Sequence, residues 1–211
     1  MKNHFKIIVI TIFLLTFIVG CTSNASTNLP VAAVATCTTA NTDFQQLYKT
    51  FVANGVADNL SGFSMSITHE YSFQTTTASA ICSLGYQSQP AFVNSNYLIE
   101  IFDTVTNSVI ASVNGTFSAT ATSYITLPTA IPLLGDRIYK IKRYGPATVA
   151  SPNGAGRCIS NSVTGIGAIT FPQKLGILII TGSNFYTQNL NGIVSAGPNS
   201  GIPYIDIVFQ K

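Results

Sequence analysis

Phe63-Ser64-Met65-Ser66-Ile67-Thr68-His69-Glu70-Tyr71 alternates in period two. Phe63, Met65, Ile67, His69 and Tyr71 fall on one side, with Ser64, Ser66, Thr68 and Glu70 on the other. Successive side chains of a strand point to opposite faces, so the stretch predicts a strand with one buried and one solvated face. Similar strand-like runs recur at short intervals over 79–87, 97–103, 109–113, 123–127, 138–143, 165–171, 176–181 and 204–209. Turn signals separate them: Thr106-Asn107-Ser108, Asn114-Gly115, Leu134-Gly135-Asp136, and Pro198 with Gly201. Asn-Gly suits a two-residue hairpin because both residues tolerate positive φ. About nine short strands at this spacing predict an all-β domain, an antiparallel β-sandwich of jelly-roll type. No segment reads as βαβ, and no repeat with a period of roughly 20–50 residues argues for a solenoid or propeller.

Composition agrees. Charged residues are 8% of the 211-residue chain, against about a quarter in an ordinary domain. Disorder does not follow, because disordered chains combine low hydrophobicity with high net charge. Thr, Ser and Asn supply the polarity here, beside Ile, Val, Phe and Tyr, which suits strands and turns.

The first 21 residues read as an export signal: basic Lys2, His4 and Lys6, an apolar run from Ile7 to Val19, then Ile18-Val19-Gly20-Cys21. The run is short of the roughly 20 apolar residues a membrane span needs. Its ending resembles the lipobox of bacterial lipoproteins. That resemblance implies cleavage after residue 20, acylation of Cys21, and attachment to membrane lipid in the bacterial cell envelope. The expected organisation is a signal peptide at 1–20, a lipidated flexible tether at 21–42 and a β-sandwich domain at 43–211. Without Lys2 and Lys6, the remaining chain holds 8 basic against 7 acidic residues, which is no nucleic-acid footprint. Acidic residues are absent from Thr22-Ser23-Asn24-Ala25-Ser26. In some Gram-negative groups surface export depends on acids there, so an outer-membrane location facing the periplasm is favoured over the cell surface.

Within the domain, Phe44, Leu47, Tyr48 and Phe51 have helical spacing and Asp43 is a candidate cap, but Asn54-Gly55 stops the pattern early. A short helix and an extended entry segment both fit. Three cysteines remain after Cys21. Cys82 shares a strand face with Leu84 and Tyr86 and reads as a buried thiol. Cys37 and Cys158, in loop-like sequence, are the candidate disulfide, with no bridge as the alternative.

A resemblance also lies in the strands. Ile81-Cys82-Ser83-Leu84-Gly85-Tyr86, Tyr97-Leu98-Ile99-Glu100-Ile101-Phe102-Asp103, Val109-Ile110-Ala111-Ser112 and Tyr124-Ile125-Thr126-Leu127 come in that order. Pro132-Leu133-Leu134-Gly135-Asp136-Arg137-Ile138-Tyr139 and Tyr204-Ile205-Asp206-Ile207-Val208-Phe209 complete the series. It is similar to an uncharacterised jelly-roll module of secreted bacterial proteins, whose fold resembles carbohydrate-binding sandwiches. Fold likeness does not by itself transfer function.

Chemistry-bearing motifs are sparse. Beyond the signal the one histidine is His69, and its neighbour Glu70 points to the opposite face. There is no Gly-x-Ser-x-Gly elbow, no complete dinucleotide or phosphate loop, and no zinc or calcium spacing. No cofactor and no metal is implied, although a calcium ion held by backbone carbonyls would leave no sequence trace. Glu100 and Asp206 lie in apolar strands, and a glycoside hydrolase would need a second carboxylate facing one of them across a cleft. The remaining candidates are for binding. Lys140 and Lys142 share a strand face opposite Arg143, fit for an anionic group or for a solvated face. Trp is absent, and Tyr144 and Tyr186, expected in loops, are the candidate sugar platforms. The sequence therefore favours a non-catalytic binding or adhesion module for polysaccharide. A structural protein packed on an envelope protein is the alternative, and a glycoside hydrolase is a more distant one.

Overall fold

The computed structural model describes residues 35–59, 66–145, 156–160, 169–188 and 194–211. The expected signal, Cys21 and the expected tether up to residue 34 lie outside them. Ala35–Lys211 is a compact unit with its own core.

One helix precedes the strands: α1 (Asp43–Ala53). It forms where Phe44, Leu47, Tyr48 and Phe51 make a single stripe, and all four are buried. Its cap is Thr42 rather than Asp43, since the Thr42 hydroxyl accepts from Gln45 N at 3.0 Å. Asp43 instead accepts from Ile177 N at 2.9 Å.

The strands are β1 (Ala57–Asn59), β2 (Ser66–Thr75), β3 (Ser79–Tyr86), β4 (Tyr97–Asp103), β5 (Ser108–Gly115), β6 (Ser123–Leu133) and β7 (Tyr139–Tyr144). There follow β8 (Cys158–Ser160), β9 (Gln173–Leu175), β10 (Leu178–Gln188), β11 (Val194–Pro198), β12 (Gly201–Pro203) and β13 (Ile205–Phe209). A large antiparallel sheet runs β11-β10-β2-β7-β4-β5, with β9 also paired to β10. A second sheet runs β13-β3-β6, and a third β1-β8-β12. The sheets pack as a sandwich, and the all-β expectation holds. The inward side of the opening alternation holds where it is described, with His69 and Tyr71 fully buried and Phe73 continuing it. Thr68 and Glu70, expected solvated, are only 7 and 4% exposed, and Phe63 and Met65 lie outside the described residues.

Several local expectations fail. Asn114-Gly115 is no hairpin turn but the end of β5, where Gly115 pairs with Tyr97. The strand expected over 165–171 lies outside the described residues up to 168, and Ile169, Thr170 and Phe171 are not strand. The short β1, β8, β9, β11 and β12 were not legible as strands.

Residues 35–42, expected as part of the tether, are held by the domain. Thr36 and Lys211 exchange backbone hydrogen bonds of 2.7 and 3.0 Å, which ties the entering chain to the C-terminus. Cys37 then bonds to Cys82, with 5.9 Å between Cα atoms. This corrects the Cys37–Cys158 expectation. Cys158 is a buried free thiol on β8, at the end of the sandwich where Arg157 N donates to Gln87 O. Cys82 sits at an irregularity in the β3–β6 pairing, near the entering chain. A bridge 45 residues apart in sequence removes roughly 4 kcal/mol of unfolded-state entropy in the chain-closure model.

Asp206 fastens the helix to the small sheet. Its side chain is fully buried, and it accepts from Thr42 Oγ1 at 2.7 Å, Gln45 Nε2 at 2.9 Å and the Tyr124 hydroxyl at 2.7 Å. Burial raises its carboxyl above the usual carboxylate range, against the pull of those three donors. Asp206, Gly85 and Tyr124 form one cross-strand row. A Cβ at Gly85 would strike the Tyr124 ring, so glycine leaves the space through which the phenol reaches the carboxylate. Asp206→Ala is expected to cost roughly 2–3 kcal/mol for its lost charged hydrogen bonds, and Gly85→Ala about 1–3 kcal/mol for overpacking. Because both break the Tyr124–Asp206 contact, urea denaturation of the double variant should show less than the sum.

Candidate functional site

The outer face of the large sheet is built by parity. On β7 the buried partners are Tyr139, Ile141 and Arg143, which leaves Lys140, Lys142 and Tyr144 outward. Arg143 lies in the interior, its guanidinium 5.8 Å from the ring centres of both Tyr86 and Tyr97. Beside it His69 meets the Phe185 ring at 4.3 Å. Burial, reinforced by the Arg143 charge, pushes His69 well below the usual histidine range. His69 is thus a neutral core side chain.

Outside, register assembles three cross-strand rows. Asn184, Glu70, Lys142 and Glu100 form the central one, across β10, β2, β7 and β4. Tyr186, Thr68, Tyr144 and Leu98 form the row on one side. Ser72, Lys140 and Phe102 form the row on the other. Tyr144 and Tyr186 therefore stand on strands β7 and β10, not in loops.

Glu70 is the centre. It is only 4% exposed although it faces outward, because its neighbours roof it. Lys140 Nζ stands 3.0 Å from Oε1 and Lys142 Nζ 3.9 Å from Oε2. The Tyr186 hydroxyl donates to Oε1 at 3.1 Å. Lys142 also lies 5.0 Å from the centre of the Tyr144 ring and 5.5 Å from that of Tyr186, within cation–π range. Burial raises the Tyr144 phenol to about 12, helped by the Glu100 hydrogen bond and charge. Tyr186 is raised by burial and then by the charge of Glu70.

A hollow of about 380 Å³ opens on this face, lined by Glu70, Phe102, Thr104, Asn107, Lys140, Lys142 and Tyr186. Of the four binding residues expected from sequence, Lys140, Lys142 and Tyr186 line it. Tyr144 does not, and serves instead to flank Lys142. Glu70, Phe102, Thr104 and Asn107 were missed. Parity alone places Glu70 and Phe102 outward, but only the strand order β2-β7-β4 brings them together.

The two carboxylates singled out from sequence separate. Asp206 is in the interior hub. Glu100 shares the central row with Glu70, two strand spacings or roughly 10 Å away, but Lys142 lies between them and Glu100 does not line the hollow. Among the described residues no group of three or more His, Cys, Asp or Glu gathers where a metal ion could be held, and no helix is long and apolar enough to cross a membrane. Comparison with protein families and with curated proteins finds no match for this chain.

The geometry makes Tyr186 a reporter of Glu70. In Glu70→Gln the charge is gone while the hydrogen-bonding shape is kept, so the Tyr186 phenol should titrate closer to the ordinary tyrosine value. NMR of ring-labelled tyrosine followed against pH reads this directly. An unmoved Tyr186 would show that the two side chains do not touch.

Proposed function

We propose that this protein is a lipid-anchored lipoprotein of the bacterial envelope whose sandwich domain is a non-catalytic binding module for polysaccharide. The observation that carries the reading is the hollow on the outer sheet face. It combines two aromatic rings, Phe102 and Tyr186, with hydrogen-bonding groups of both kinds: Glu70, Thr104, Asn107, Lys140 and Lys142. Sugars present apolar C–H faces and rings of hydroxyls that donate and accept, and a site of a few placed polar groups beside aromatic rings answers both. Glu70 answers only one of the two lysines, so the hollow keeps a net positive charge and admits an acidic glycan as well as a neutral one. The export signal and the Ile18-Val19-Gly20-Cys21 ending support the envelope location, with membrane lipid held through Cys21.

One feature favours the second reading, a structural protein that packs on an envelope protein through the same face. Lys142 stands over both Tyr144 and Tyr186 and takes up ring surface that a sugar would use. A hydrolase has less support, since Glu70 is the one carboxylate lining the hollow among the described residues.

A glycan array probed with the purified full chain separates these readings. Saturable binding should appear, and Tyr186→Ala or Phe102→Ala should weaken it about tenfold, or ~1.4 kcal/mol each. Tyr144→Ala should weaken it less, through Lys142 alone. Folded protein that binds no glycan would move the reading to a protein partner.

A further inference from the structure

The end of the sandwich at which the described chain begins carries most of its exposed apolar side chains. Thr36 pairs with Lys211 there, and Gln210 N donates to Ala80 O at 2.8 Å. The turn between β2 and β3 adjoins them, since Thr38, Thr77, Ala78 and Gln210 line one hollow. The β6–β7 loop packs on that turn: a Cβ at Gly135 would stand 3.0 Å from the Thr77 carbonyl carbon, and Asp136 N donates to Thr75 O at 2.7 Å. The β4–β5 turn joins next, with Thr104 N and Oγ1 donating to Ile138 O at 3.4 and 2.7 Å. The entering chain, the C-terminus and three turns thus share one end.

Of the six exposed large apolar side chains among the described residues, four are here: Val105, Val109, Leu134 and Ile138, at 74, 46, 58 and 43% exposure. Below them Ile110, Ile131, Pro132 and Leu133 line an apolar hollow of about 380 Å³ at the edge strands β5 and β6. Arg137 is paired with Asp103, and the exposed Asp136 between Leu134 and Ile138 would stay at the level of the polar headgroups. Single exposed aliphatics are ordinary, but a gathered patch marks a contact.

We propose that this end is a bilayer-contacting surface, with Val105, Leu134 and Ile138 seated among lipid headgroups. The inference rests on the lipoprotein reading, and the position of the entering chain selects lipid as the occupant. From Cys21 to Ala35 is about 14 residues, a reach of at most roughly 50 Å. The ten residues of β2 span about 33 Å, so facing the bilayer with the opposite end would consume most of that reach. This end meets the membrane with the least extension. Aliphatic side chains inserted at the interface add to the hold of an acyl anchor, and they fix the domain's orientation. They also turn the Glu70 face, which lies along the sheet, sideways to the membrane.

Two measurements keep the inference and its foundation apart. Mass spectrometry of the Cys21 peptide, from the full chain expressed in bacteria, reads acylation alone. Docking is read by amide hydrogen exchange on the chain from Cys21 to Lys211, which contains the whole described unit. The Cys21 thiol is coupled to a maleimide phospholipid in vesicles of phosphatidylethanolamine and phosphatidylglycerol, so docking is tested whether or not cells acylate the chain. Exchange over 104–108 and 134–138 should be slower on vesicles than in solution, with 93–96 at the other end unchanged. Val105→Ser combined with Leu134→Ser should lose that slowing while the chain stays coupled. Exchange at both loops that is the same on vesicles as in solution, or slowing that survives the double substitution, would overturn the proposal. If the loops are protected equally in both states, the apolar segment Leu29-Pro30-Val31-Ala32-Ala33-Val34 becomes the occupant.

Discussion

Strand β7 must put Tyr139, Ile141 and Arg143 inside, and the candidate site follows from that requirement. Side-chain direction alternates along a strand, so a slip of one residue would exchange the buried set for the outer set. Ile141 is held between Tyr71 of β2 and Ile101 of β4, all three fully buried. Burying that row of large side chains therefore also sets the outer rows. Lys142 has no choice but to stand between Glu70 and Glu100. The interior Arg143 is the less obvious part of this arrangement. A guanidinium is costly to bury unless its charge is answered, and here aromatic faces of Tyr86 and Tyr97 lie on either β-sheet around it. The choice of arginine over lysine at this position fits its weaker hydration and its planar stacking.

A second constraint holds the other sheet. Asp206 gathers the helix cap, Gln45 and Tyr124 at one buried carboxylate, and Gly85 is small so that the contact can form. Together with the Cys37–Cys82 bridge, this secures the entering chain before the helix begins. The two constraints serve different ends. The first shapes the outer face of the large sheet. The second fixes where the described chain enters the sandwich.

Alternation made much of this legible. The inward set of β2, the extent of β4, the separation of Arg143 from the two lysines and the four-residue stripe of α1 all follow from local period. What stayed hidden depended on neighbours far away in sequence. Asn114-Gly115 has turn chemistry, yet pairing with β4 extends the strand through it. Cys82 looked like a packed thiol because its partner arrives from a segment with no periodic signal. The three-residue strands β1, β8, β9 and β12 are too short to show a period and exist through pairing alone. Glu70 was visible as an outward carboxylate, but its role needed the order β2-β7-β4, which no local pattern contains.

The central claim is that ligand meets this protein on the outer face around Glu70. Lysine acylation footprinting of the full chain, with and without a cell-envelope polysaccharide fraction, tests it most directly. Lys140 and Lys142 should react in the free protein and become protected when polysaccharide is bound, while Lys49 on α1 and Lys174 on β9 react equally in both states. Protection at Lys49 or Lys174 without protection at Lys140 and Lys142 would place the contact elsewhere and contradict the assignment.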